Sequence, residues 1–181
     1  MVRKNKMKKS KLVILRGSPT SGKSTAFHGL KNKKEMRGWL FVDFCNIKEM
    51  MGETLCDDDR KHYGQRFLFA ILKEAMKSAK NIILEEMSEK SLRRSINHFI
   101  KKYNYEIVTF QFTVRTDVAH KRDVQRAKDK WHPFMGKELV NKLHKYHDKN
   151  IDPNGIVVDT NKLGKKVVVD FILEKLGLPT D

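Results

Sequence analysis

The stretch Gly17-Ser18-Pro19-Thr20-Ser21-Gly22-Lys23-Ser24-Thr25, entered from the apolar run Lys11-Leu12-Val13-Ile14-Leu15-Arg16, leaves this chain few folds to choose from. Its spacing is Gly, four residues, then Gly-Lys-Ser, the pattern of a loop that cradles phosphate between a strand and a helix. Gly17 and Gly22 allow backbone angles that a Cβ would penalise, so successive N–H groups can turn inward around an anion. Lys23 adds a cation for the terminal phosphates, and the Ser24 hydroxyl is a ligand for Mg2+. The helix that opens near Lys23 turns its positive end toward the same oxygens. Ser18, Thr20, Ser21 and Thr25 complete the candidate nucleotide loop, and Thr25 to Leu30 continues as a helix.

A chain of 181 residues has the length of one domain and can bury roughly 70% of its unfolded surface without disulfides or metals. The formal net charge of +16 makes a polyanion the expected partner, with a solubility charge or a basic tail as the plainer explanation. Cys45 and Cys56 stand in no metal-ligand spacing, which suits a reducing compartment. Without a long apolar span or an export signal, the expectation is a cytoplasmic chain that does not enter membranes.

Along the chain, residues 1–10 read as a flexible basic arm and 11–181 as a single domain. Trp39-Leu40-Phe41-Val42 is a short strand ending at Asp43, followed by a helical turn over Ile47 to Gly52. A helix begins at Asp57-Asp58-Asp59, with Tyr63, Phe67, Ala70, Ile71 and Ala75 or Met76 on one face. Ile82-Ile83-Leu84 is a buried strand running into Glu85 and Glu86. Ser88 to Lys102 is a helix capped by Ser88, with Leu92, Ile96 and Phe99 inward. Tyr105 to Val114 is the longest strand, and its alternation predicts one less covered face. A basic helix from Thr116 to Lys130, the irregular Trp131 to Gly136 and a helix over Lys137 to Asp148 follow. Ile156 to Asp159 is a fifth strand and Leu163 to Leu176 the last helix. Alternating strands and helices predict an α/β fold: a five-stranded, mainly parallel sheet with helices on both faces and a helical lid over about 115–136.

Asp43, one of the Glu85-Glu86 pair and the phosphate loop each follow a strand, so they should converge at one sheet edge. Phosphoryl transfer needs a donor cradle, a metal to bridge phosphates, a base for the acceptor hydroxyl and cations for the transferring group. Asp43 is the candidate base, against a strand-end carboxylate that satisfies local N–H groups. Glu85 is the candidate metal-side acid with Ser24, and Glu86 is the open alternative. Arg122 and Arg126, four apart, share a helix face as a candidate lid, against a solvated basic helix. Trp131, His132 and Phe134 either pack the lid or stack on a base, and His28, His62, His98, His120, His144 and His147 are assigned no role.

The order of these features resembles the polynucleotide 5'-hydroxyl kinases of phages and bacterial RNA repair, over Lys11 to about Leu176. The resemblance implies a phosphate-loop NTPase fold, ATP (or GTP) and Mg2+ as cofactors, and the 5'-hydroxyl of RNA or DNA as acceptor. It implies nucleotide binding by Gly17, Gly22, Lys23, Ser24 and Thr25, Asp43 as general base, and Arg122 and Arg126 as lid arginines. Asp159 and Thr160, by a likeness to small-molecule kinases of the same superfamily, would lie near the adenine. The family's motif arginine is replaced by Asn46, with Lys48 near in sequence, and its usual Asp after the third strand by glutamate. A small-molecule hydroxyl acceptor is therefore the alternative, and a noncatalytic nucleotide- and nucleic-acid-binding module the second alternative.

Overall fold

The computed structural model describes residues 9–52, 56–86, 90–128, 134–161 and 163–180, with the backbone alone at 57 and 90–95. Positions 1–8 of the basic arm, Ser88, Trp131 and His132 lie outside the described residues, as does the Leu92 side chain.

The elements follow one another as β1 (Lys11–Gly17), α1 (Lys23–Lys31), β2 (Leu40–Asp43), α2 (Phe44–Glu49), α3 (Asp57–Lys77) and β3 (Ile82–Glu86). Then come α4 (Lys90–Tyr103), β4 (Glu106–Thr113), α5 (Thr116–Arg126), α6 (Gly136–Asp148), β5 (Ile156–Asp159) and α7 (Lys165–Lys175). The five strands form one sheet in the order β2-β3-β1-β4-β5, and every neighbouring pair is parallel. Parallel neighbours need crossover connections, and the helices that supply them cover both faces.

Because side chains alternate along a strand, β1 feeds two cores. Val13 and Leu15 join Phe110 and Phe112 against Phe27 and Leu30 of α1 and Ile172 of α7. Leu12 and Ile14 join Ile82 and Leu84 against Leu68 and Leu72 of α3 and Ile96 of α4. The phosphate loop thus leaves a strand held on both faces.

Helix α3 corrects the expected inward face. Tyr63, Phe67, Ala70 and Ile71 of that face are exposed, whereas its last members, Ala75 and Met76, are buried together with Leu68 and Leu72. The sequence carries two apolar stripes at helical spacing, and the leucine-bearing one meets the sheet. Helix α2 also begins earlier than Ile47, directly after Asp43, because the Asp43 side chain caps it. On β4, Glu106 and Ile107 are exposed and Thr109 to Phe112 buried, so the less covered region is confined to its first half.

Candidate active site

The cradle is built at the junction of β1 and α1. A Cβ on Gly17 would lie 2.7 Å from the Phe112 carbonyl oxygen, so close approach to β4 excludes any side chain there. Gly22 has φ of 91°, the left-handed region that glycine occupies without strain. Lys23 opens α1 with its side chain buried, and Nζ donates to the Ser18 carbonyl at 2.9 Å. Burial lowers the Lys23 ammonium below the ordinary lysine range, with the nearby Glu85 opposing the shift.

Ser24 Oγ donates to Glu85 Oε1 at 2.6 Å. Burial raises the Glu85 carboxyl above its usual range, against the hydrogen bond from Ser24. Glu86, next along the strand, faces the other way, and Arg16 donates to its Oε1 through both Nε and Nη2. The strand pleat therefore puts Glu85, the first of the two sequence alternatives, on the cradle side. Its Oε2 is buried without a hydrogen-bond partner among the described residues. No group of three His, Cys, Asp or Glu side chains stands together among those residues. That donor set suits Mg2+, which keeps waters and substrate phosphates as most of its ligands and takes few from protein. Ser24 and Glu85 are the residues that would hold it.

A cavity of about 450 Å³ opens beside the loop, lined among others by Lys23, Ser24, Arg122, Arg126, Thr160 and Leu163. Its volume lies in the range of about 300–1,000 Å³ that takes drug-sized ligands, and ATP would enter with its phosphates on the loop. Thr160 ties this wall together: its Oγ1 stands 2.9 Å from the Ser21 carbonyl and 3.2 Å from that of Thr113. Asp159 does not line the cavity; its Oδ1 accepts from the Asn161 backbone N–H and closes its own turn. Of the two residues expected near the adenine, Thr160 is therefore the one that lines this cavity.

Asp43 ends β2 in register with Glu85. Its Oδ1 accepts from Cys45 N at 2.8 Å and Asn46 N at 3.4 Å, the helix-cap role weighed against the base. Asn46 is exposed, and the Lys48 ammonium lies 5.1 Å from the centroid of the Phe44 ring. The Lys48 ammonium thus rests over the Phe44 ring, on the same short helix that Asp43 caps.

Arg122 and Arg126, the pair expected to form a lid, differ in their partners. Arg122 donates through Nη1 to the Thr20 carbonyl at 3.1 Å and to Thr160 Oγ1 at 3.0 Å, and through Nη2 to the Thr160 carbonyl at 2.6 Å. It latches the phosphate loop to the turn after β5. Arg126 Nε is buried without a hydrogen-bond partner among the described residues, and its nearest anion is Asp123 at 3.6 Å. Arg126 is thus the one with a donor to spare for a phosphate. Arg122→Ala is expected to raise the KM for nucleotide and lower the melting temperature together. Arg126→Ala should lower kcat about 10- to 100-fold at unchanged melting temperature, the scale of a lost charge-assisted hydrogen bond. Steady-state kinetics beside thermal melts would separate the two.

Sequence reasoning missed the histidines of α6. His144 Nε2 lies 3.3 Å from the Pro19 carbonyl in the loop, and His147 Nε2 pairs with the buried Gln111 amide. The signal was the spacing of Val140, His144 and His147, which share the buried face of the helix. Burial, then the charge of Lys23, lowers His147 from 6.5 to about 4. Between those values the unfolded chain binds a proton that the fold refuses, so stability is intact above pH 6.5 and lost as pH falls toward 4. The loss should reach about 3 kcal/mol. Urea unfolding at pH 7 and pH 4.5 measures it, and His147→Gln should shrink the difference.

The fold and cradle are those of a phosphate-loop α/β protein, with a parallel sheet and the loop between β1 and α1. The family model described as "chromatin associated protein KTI12" matches residues 11–178, and the chain belongs to that family. No curated protein sequence matches. Among solved structures, a candidate kinase of Chloroflexus aurantiacus is similar at TM-score 0.71 and 16% identity, over 92% of this chain and 98% of that one. The tunicamycin resistance protein of Deinococcus radiodurans is similar at TM-score 0.66 and 17% identity, over 94% and 98%. A chain of the Pnkp1/Rnl/Hen1 RNA repair complex is similar at TM-score 0.66 and 22% identity, over 84% of this chain and 49% of that one.

Proposed function

We propose that this protein transfers the γ-phosphate of ATP, with Mg2+, to the 5'-hydroxyl of RNA or DNA. The observation that carries the transfer is the register of Asp43 with Glu85 at one sheet edge, with Glu85 bonded to Ser24 of the cradle. In this reading Lys23 and the loop N–H groups hold the donor phosphates, and Arg126 adds charge to the transferring group. Ser24 and Glu85 would hold Mg2+, which would supply positive charge against those phosphates. Asp43 takes the proton of the attacking hydroxyl at the oxygen its helix cap leaves over. The net charge of +16 supports a polynucleotide acceptor.

One observation favours a small hydroxyl compound instead: beside Asp43, α2 offers the exposed, uncharged Asn46. Labelled γ-phosphate transfer to 5'-hydroxyl oligonucleotides over a salt series tests both. A labelled 5' end, weakening as salt rises, establishes the polynucleotide reading. Label on nucleosides or hydroxylated antibiotics alone establishes the other. ATP binding with no labelled acceptor in either set would instead make the protein a nucleotide-binding module, a role for which its family's description at chromatin is the analogy.

A further inference from the structure

Central strands of a parallel sheet covered on both faces are ordinarily apolar. Here β3, β1 and β4 set Glu86, Arg16 and Gln111 side by side in register on the face that α3 and α4 cover. Arg16 and Glu86 are paired, and Gln111 joins His147 and the Asp152 backbone N–H. None of the four side-chain-bearing residues Arg16, Glu86, Gln111 and His147 is more than 4% exposed. Burying an ion pair and an amide there costs desolvation that valines would avoid.

Two residues down the strands, Ile14 and Thr109 stand in register beneath that polar row. They floor a recess of about 250 Å³, walled by Ile96 and Asn97 of α4, Ile107 of β4, and Asp152 and Asn154 before β5, with Arg16 above. It is the same place where the first half of β4 is left uncovered. No lining residue is shared with the cavity beside the phosphate loop.

The lining has a definite chemistry. Ile14, Ile96 and Ile107 offer aliphatic surface to the faces of a flat ring. The Asn97 and Asn154 amides and the Thr109 hydroxyl offer donors and acceptors to its edge. Among the described residues the lining cation is Arg16, which Glu86 already answers, and Asp152 adds a carboxylate to the lining, so an anionic group gains little there. The volume lies below the range of about 300–1,000 Å³ that takes drug-sized ligands, which fits one heterocycle and excludes a nucleoside triphosphate. We propose that this recess binds a nucleobase, presented either by a free nucleoside or by an unpaired nucleotide of a strand. The site stands apart from the phosphate loop and does not depend on phosphoryl transfer.

The test is titration by NMR with uridine, cytidine, adenosine and guanosine, and with single-stranded tetranucleotides at two salt concentrations. Four proteins are compared: wild type, Lys23→Ala, Ile107→Trp and the double variant Asn97→Ala/Asn154→Ala. The substituted recess positions are exposed or, at Ile107, 40% exposed, so folding is expected to survive and is checked by melting. At least one nucleoside should bind wild type and Lys23→Ala alike, and about tenfold more weakly in both recess variants. A tetranucleotide that binds more tightly, and weakens with salt, identifies the strand as the source. Equal affinities without salt dependence identify the free nucleoside. Absence of binding to wild type at about millimolar nucleoside would overturn the site, as would recess variants that bind normally. Binding lost only in Lys23→Ala would place the base in the other cavity. Recess-dependent binding of glucose but of no nucleoside would overturn the nucleobase.

Discussion

Asp43→Asn is expected to lower kcat about 10²- to 10⁴-fold, the usual contribution of a positioned general base. Asparagine keeps the size of the side chain and a carbonyl oxygen that can accept from Cys45 N and Asn46 N, so the cap on α2 should survive. That makes the substitution a test of proton transfer alone. Nucleotide affinity and melting temperature should both stay within error of the wild type. The comparison variant is Asp43→Ala, which removes the cap as well and should cost about 1 kcal/mol of stability in addition. If Asp43→Asn turns over normally while Asp43→Ala loses stability, the carboxylate is a cap and no more. If Asp43→Asn loses ATP affinity along with turnover, Asp43 belongs to the metal shell with Glu85.

The parts of the site that repeat a local pattern were legible in the sequence. The phosphate loop carries its geometry in its own spacing, since Gly17, Gly22, Lys23 and Ser24 are fixed by bonds along one short segment. Strand ends were legible to within two residues because apolar runs stop before Asp43 and Glu85, although β2 includes Asp43 and β3 continues through Glu86. What escaped was set by packing between distant elements. Tyr63 and Leu68 lie on competing stripes of one helix, and only the sheet decides which is buried. Glu85 and Glu86 were indistinguishable until the pleat and the Arg16 partner separated them. Arg122 and Arg126 share a helix face, as their spacing required. Their different tasks come from Thr20 and Thr160, which lie 102 and 38 residues away from Arg122 along the chain. His144 and His147 escaped for the same reason, because their partners Pro19 and Gln111 sit on other elements.

Lys23→Met should abolish phosphoryl transfer, by about 10³-fold or more, yet leave the protein without nucleotide at least as stable as the wild type. The two expectations have one cause. The Lys23 ammonium is buried, and burial is the largest influence on its charge, so the fold carries a desolvation penalty that its bond to the Ser18 carbonyl only partly offsets. Methionine of similar length removes the penalty and fills the same space. Phosphates entering the loop would add negative charge to that of Glu85, so the penalty in the empty protein becomes affinity in the loaded one. Wild type should therefore gain about 2.7 kcal/mol of stability at ATP a hundredfold above its Kd, while Lys23→Met at that concentration should gain little. Thermal melts of both proteins with and without ATP and Mg2+ read this directly. A variant that is stabilised by ATP as strongly as wild type would mean that the loop N–H groups alone hold the phosphates. A variant that melts well below wild type without ATP would mean that Lys23 is held in place for the sake of the fold.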